Sequence, residues 1–122
     1  MAPRRIGARG ATGDRVILRG QTGIGLDHVL RGQGDAAAQA EQAMRNVEQL
    51  LEEAGCGLDD VVKATLYVTD REHLEPAARA TLRRLASSPV AFSSVIAKGL
   101  ASPELLMEVD IQAVSKSKEK RR

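Results

Sequence analysis

Two carboxylates, Glu108 and Asp110, alternate with Met107, Val109, Ile111 and Ala113 in the stretch Leu105 to Val114. Side chains of a strand point alternately to its two faces, so both acids leave the face opposite the apolar set. A carboxylate partly buried there has a raised pKa and suits proton transfer. Fully exposed, it only solubilises the face. Asp110 either substitutes for Glu108 or repels it. Arg19-Gly20-Gln21 follows a candidate strand, and Ser93 and Ser94 lie in a second one, AFSSV. Arg19 is either a surface residue or an anchor for a small anion. Ser93 and Ser94 become nucleophiles only beside a base. His28 and His73 fall in a loop and at a helix start, without a Ser–His–Asp arrangement. With Cys56 they form no metal-ligand spacing, so no metal is expected. One cysteine makes no intrachain disulfide.

The whole chain has 122 residues, with 18 basic and 16 acidic side chains and a net charge of +2. Near balance does not point to a polyanion. The basic excess sits in Arg4, Arg5 and Arg9 and in Lys116, Lys118, Lys120, Arg121 and Arg122. These read as solvated ends, with a polyanion-binding tail as the alternative. One Phe, one Tyr and no Trp leave few platforms for stacking bases, so nucleic acid is not an expected partner. No run approaches the roughly 20 apolar residues of a membrane span, and no apolar run follows the basic N-terminus. A soluble, cytoplasmic protein is expected.

The elements that must position these residues are organised around Ala54 to Asp70, AGCGLDDVVKATLYVTD. Gly55 and Gly57 suit the left-handed backbone that closes a helix. Leu58 to Asp60 form a turn, and Val61 to Thr69 is rich in β-branched and aromatic residues. Val62, Ala64, Leu66 and Val68 should face the core, and Val61, Lys63, Thr65, Tyr67 and Thr69 a mixed outer surface. Upstream, a short edge strand near Arg5 to Ala8 and a turn at Gly13-Asp14 precede the strand Val16 to Leu18. Gly20 marks a bulge or a close backbone approach. The loop 20–34 lacks the pattern of a phosphate cradle. Asp35 opens a helix as N-cap or in its first turn, with Ala36, Ala40, Ala43, Met44, Val47, Leu51 and Ala54 as its apolar stripe. Gln39, Glu41, Gln42, Arg45, Glu48 and Glu52 fill its other side.

Thr69 to Glu72 fits a capping box for a second helix, with Pro76 in its first turn. Leu74, Ala77, Ala78, Thr81, Leu82 and Leu85 give its buried side, and Ser87-Ser88-Pro89 ends it. Val90 to Lys98 and Leu105 to Val114 are the last strands. The order β-β-α-β-α-β-β predicts an α+β two-layer sandwich, one mostly antiparallel sheet with two helices on one face. Residues 1–115 read as a single domain and 116–122 as a polar, unfolded tail.

This order, with its particular words, resembles the RidA (YjgF) family. The words are Arg19-Gly20-Gln21, Ala38 to Ala43 leading into Asn46-Val47, Ala54-Gly55, Asp60 to Lys63 through Tyr67 to Asp70, Gly99-Leu100, and Leu106 to Asp110. The resemblance implies a chorismate-mutase-like fold and a homotrimer with small-molecule clefts between subunits. It implies hydrolysis of imines and enamines to carbonyl compounds and ammonia, without metal or organic cofactor. Glu108 falls at the family's glutamate, which handles the proton and water. Arg19, Gly20, Gln21, Phe92, Ser93 and Ser94 fall at the substrate-binding positions. The family's carboxylate-gripping arginine falls at or beside Phe92, which makes this a divergent member. The rivals are a non-catalytic metabolite-binding or regulatory trimer and, more weakly, a ribonuclease or translation inhibitor.

Overall fold

The computed structural model describes residues 9–12, 15–86 and 88–115. The predicted strand at Arg5–Ala8, the Gly13-Asp14 turn, Ser87 and the 116–122 tail lie outside them. Strands β1 (Arg9–Thr12) and β2 (Arg15–Gln21) precede helix α1 (Ala36–Glu53). Strand β3 (Val61–Val68), helix α2 (Leu74–Arg84) and strands β4 (Ala91–Ile96) and β5 (Met107–Val114) follow. The predicted order is the observed one.

The five strands form one sheet in the order β1-β2-β5-β3-β4. Strands β3 and β4 are parallel, and every other pairing is antiparallel. A parallel pair needs a crossover, and α2 supplies it. Both helices join one core with a single face of the sheet. Leu18, Ala64, Leu66, Val68, Met107, Val109 and Ile111 are all fully buried in it, against Ala40, Ala43, Met44, Val47 and Leu51 of α1 and Ala77 of α2. The alanines let α1 lie close to the strands. Arg84 of α2 reaches Glu41 at 3.3 Å and Glu48 at 3.4 Å on α1. On a partly exposed surface such pairs contribute about 0–1 kcal/mol, so apolar packing holds the layers together.

Helix α1 starts where Asp35 accepts the Ala38 N–H at 3.0 Å, which makes Asp35 the N-cap. It closes at Gly55, whose φ is +80°. Gly57 has φ −136°, in the extended region, so only one of the two predicted glycines closes the helix. The N-cap falls one residue later than in the predicted capping box. Asp70, not Thr69, accepts the Glu72 N–H at 3.0 Å and opens a short 3₁₀ turn before α2.

Three burial assignments differ from the periodicity. Val61 is buried and Val62 exposed, because Val61 pairs with Ala113 and Lys63 with Gln112, which leaves Val62 as an extra residue. On α2, Ala80 is buried and Leu82 exposed. On α1, Gln39 and Gln42 are buried on the supposedly polar side. Gln39 donates to Gly32 O at 3.1 Å and to Glu104 O at 3.0 Å, and accepts from Leu106 N at 2.9 Å. It ties the loop after β2 to the segment leading into β5.

Candidate functional site

The helices cover one face of the sheet, and the register assigns the residues of the other. On β5 the outward positions are Glu108, Asp110 and Gln112, each half-buried between inward Met107, Val109, Ile111 and Ala113. On β3 their partners are Tyr67, Thr65 and Lys63 in that order. On β4 the next column is Val95, Ser93 and Ala91. The two carboxylates therefore lie in the middle of the sheet, with neutral side chains beside them on β3 and β4.

A bulge closes the other side. Leu18 pairs with Ile111 and Gln21 with Val109, so Arg19 and Gly20 together stand opposite Asp110. Gly20 has φ +70°, a conformation that favours glycine, and its N–H donates to Asp110 Oδ1 at 2.8 Å. A Cβ at Gly20 would lie 3.7 Å from Glu108 Oε2. Both acids thus converge on one backbone position, and that spacing is set by the bulge.

Burial raises the Glu108 pKa above 4.5, and the charge of Asp110 raises it further. The Tyr67 phenol is also shifted up, first by the charge of Asp110, then by burial, by its hydrogen bond to Asp110 and by the charge of Glu108. Two groups on different strands thus respond to the same negative field. Among the described residues no ion pair includes Glu108, Asp110 or Arg19. A carboxylate that stays protonated more readily than usual, beside one held by a backbone N–H, is an acid–base arrangement.

The structure brings Glu108, Asp110, Gly20 and Arg19 together, with Ser93 one strand beyond Thr65. It separates three residues from them. Gln21 is buried toward the core opposite Val109, with its amide donating to Arg19 O at 3.1 Å. Phe92 pairs with buried Ala64 and packs against the core. Ser94 pairs with buried Leu66 and shares that inward parity. The outward neighbours of Phe92 are Ala91 and Ser93, neither of them cationic. Thr65 and Tyr67 belong to the face although neither was selected as a site residue. Their placement on the outer surface of β3 was the available signal.

No group of three His, Cys, Asp or Glu among the described residues is arranged to hold a metal ion. Cys56 is a buried thiol, raised in pKa by burial and by Asp60. An open depression of about 550 Å³ lies between α1 and the loop after β2, and no outer-face residue lines it. Its polar groups bind one another: Gln42 donates to Asn46 at 2.8 Å, Asn46 to Ile24 O at 2.8 Å, and Arg31 to Asp27 at 2.7 Å. It is the seam that anchors the loop, and the outer face remains the candidate site.

A five-stranded sheet backed by two helices on one face is the chorismate-mutase-like fold, and here its open face carries the carboxylate pair. A family model described as endoribonuclease L-PSP matches residues 8–115, and the chain belongs to that family, also called YjgF or RidA. Rv2704 of Mycobacterium tuberculosis, a member of the YjgF/YER057c/UK114 family, is 31% identical. That likeness covers 85% of this chain and 81% of the other, with a TM-score of 0.75. RidA from the Antarctic bacterium Psychrobacter sp. PAMC 21119 is 27% identical over 88% of this chain and 85% of its own, with a TM-score of 0.78. A RutC family protein of Pyrococcus abyssi is 36% identical over 58 residues, 48% of this chain and 46% of that protein. The chain spans less than half the length of the curated RutC family relatives it matches.

Proposed function

We propose that this protein is a cofactor-independent hydrolase of imines, enamines or related small unsaturated nitrogen compounds, working at clefts between the subunits of a homotrimer. The observation that supports this reading best is Glu108, half-buried beside Asp110 at the Gly20 bulge, with its pKa raised. A group that changes protonation nearer neutral pH than an ordinary carboxylate suits a reaction that takes a proton and gives it back.

In this scheme the water oxygen bonds to the imine carbon, and the C=N electron pair moves to nitrogen. The departing water proton goes to the Glu108 carboxylate. Glu108 then returns it to nitrogen, the C–N bond breaks, and ammonia leaves with the bonding pair. The hydroxyl proton passes through Glu108 to the departing nitrogen as the carbonyl forms, which completes the ammonia, so imine plus water gives carbonyl plus ammonia. Asp110, fixed by the Gly20 N–H, orients water or the nitrogen.

Ammonia release from enzymatically generated imines tests this, with wild type compared with Glu108→Ala. The proposal expects a fall of about 100-fold or more, as for loss of a general acid–base. Equal rates would leave a non-catalytic binding role. The name endoribonuclease L-PSP raises an RNA-acting alternative, but a negative centre with one aromatic residue, Tyr67, opposes polyanion binding. RNA cleavage abolished by Glu108→Ala would revive it.

A further inference from the structure

We infer that the compound this face accepts carries its positive charge on nitrogen and has no carboxylate beside it: an iminium of a simple amine, rather than a 2-imino acid. The inference rests on the imine reading for its chemistry, while the charge preference is separately measurable. It is carried by the arrangement of charge across the sheet. Glu108 and Asp110 occupy adjacent outward positions on the middle strand. Facing Glu108 are the Tyr67 phenol on β3 and the Gly20 backbone on β2, with Val95 beyond Tyr67 on β4. Facing Asp110 are Thr65 and, beyond it, Ser93, with Arg19 and Gly20 on the bulge. Lys63 stands one outward position further along, opposite Gln112. Tyr67 and Glu108 both register the excess negative charge.

A half-buried acid pair of this kind attracts a cation and repels an anion, more strongly than it would in open water. A protonated imine fits it twice over. The cationic nitrogen is held by the acids, and protonation makes the imine carbon more open to attack by water. A carboxylate one bond from that carbon would be brought against Glu108 and Asp110. Lys63 and Arg19 favour the opposite charge preference, and of these Arg19 stands opposite Asp110 on the bulge. The test therefore includes it.

The probes are isobutylammonium and isobutyrate, which share a shape and differ in charge. Binding to the full chain is read from the NMR shifts of the Tyr67 ring. Isobutylammonium should bind about tenfold or more tightly than isobutyrate, the scale of one pKa unit of interaction. Asp110→Asn, which keeps the acceptor for the Gly20 N–H, and Glu108→Gln should each narrow that gap. Turnover is then compared for imines generated by an amine oxidase and by an amino-acid oxidase, with matched side chains. The amine-derived imine should react faster. Isobutyrate binding as tightly as isobutylammonium, with loss in Arg19→Ala, would overturn the inference, and so would faster turnover of the 2-imino acid. Cation preference with no turnover of either imine would sustain the inference and refute the hydrolase reading.

Discussion

Glu108 links stability to function. Its folded-state pKa is raised above 4.5, so the native state holds its proton more tightly than the unfolded chain does. The resulting stability is complete below pH 4.5 and declines as pH rises through the raised value. Replacing Glu108 by Gln removes this cost of ionisation. Glu108→Gln should therefore unfold at a higher temperature than wild type at pH 7, and the difference should vanish below pH 4.5. Thermal melts across that range check both halves. Gly20 provides a second test, because its φ of +70° is unfavourable for a residue with a Cβ. Gly20→Ala should lose about 1–2 kcal/mol, measured by urea unfolding. Glu108 and Asp110 were legible in the sequence because inward Met107, Val109 and Ile111 fix the parity of β5. Phe92 was not, because β4 is an edge strand without a buried stripe, and a shift of one residue reverses the face of every side chain.

At the scale of elements, the site depends on the bulge in β2 and on the loop that follows it. The order of strands and helices, the Asp35 cap and the apolar stripe of α1 follow from local pattern, and the structure keeps them. The burial of Gln39, Gln42 and Asn46 does not follow from pattern. Gln39 and Asn46 bond backbone groups distant in sequence, and Gln42 bonds Asn46. Gln39→Ala would remove the partner of Glu104 O and Leu106 N, while Gly32 O keeps the Asp35 N–H at 2.9 Å. It should lose about 3 kcal/mol, read from urea unfolding, since each orphaned buried group costs roughly 1–3 kcal/mol before partial rescue by water. His28 offers the opposite change. It holds φ 68° in the turn closed by its N–H to Gly25 O at 2.8 Å. His28→Gly should raise stability by about 1 kcal/mol, in the same assay, by relieving that conformation.

For the whole molecule, the helix layer is sealed and the other sheet face is open. No helix among the described residues is long and apolar enough to cross a membrane. The proposed trimer places that open face against neighbouring copies. Val95 is 43% exposed and outward on the edge strand, and the trimer proposal expects it to be covered by a neighbouring copy. Val95→Arg should reduce the native mass from three protomers toward one in sedimentation, with the helical circular dichroism unchanged. The alternation along β3 made a mixed outer face legible, of the kind that meets another subunit or lines a cleft, and the family resemblance alone suggests three copies. Hydrolysis of imines through Glu108, as proposed, is tested by following disappearance of the imine itself with the wild-type protein and with Glu108→Gln. Hydrolysis that is fast in wild type and lost in a folded Glu108→Gln is the predicted result; equal imine lifetimes with either protein and with none would contradict it.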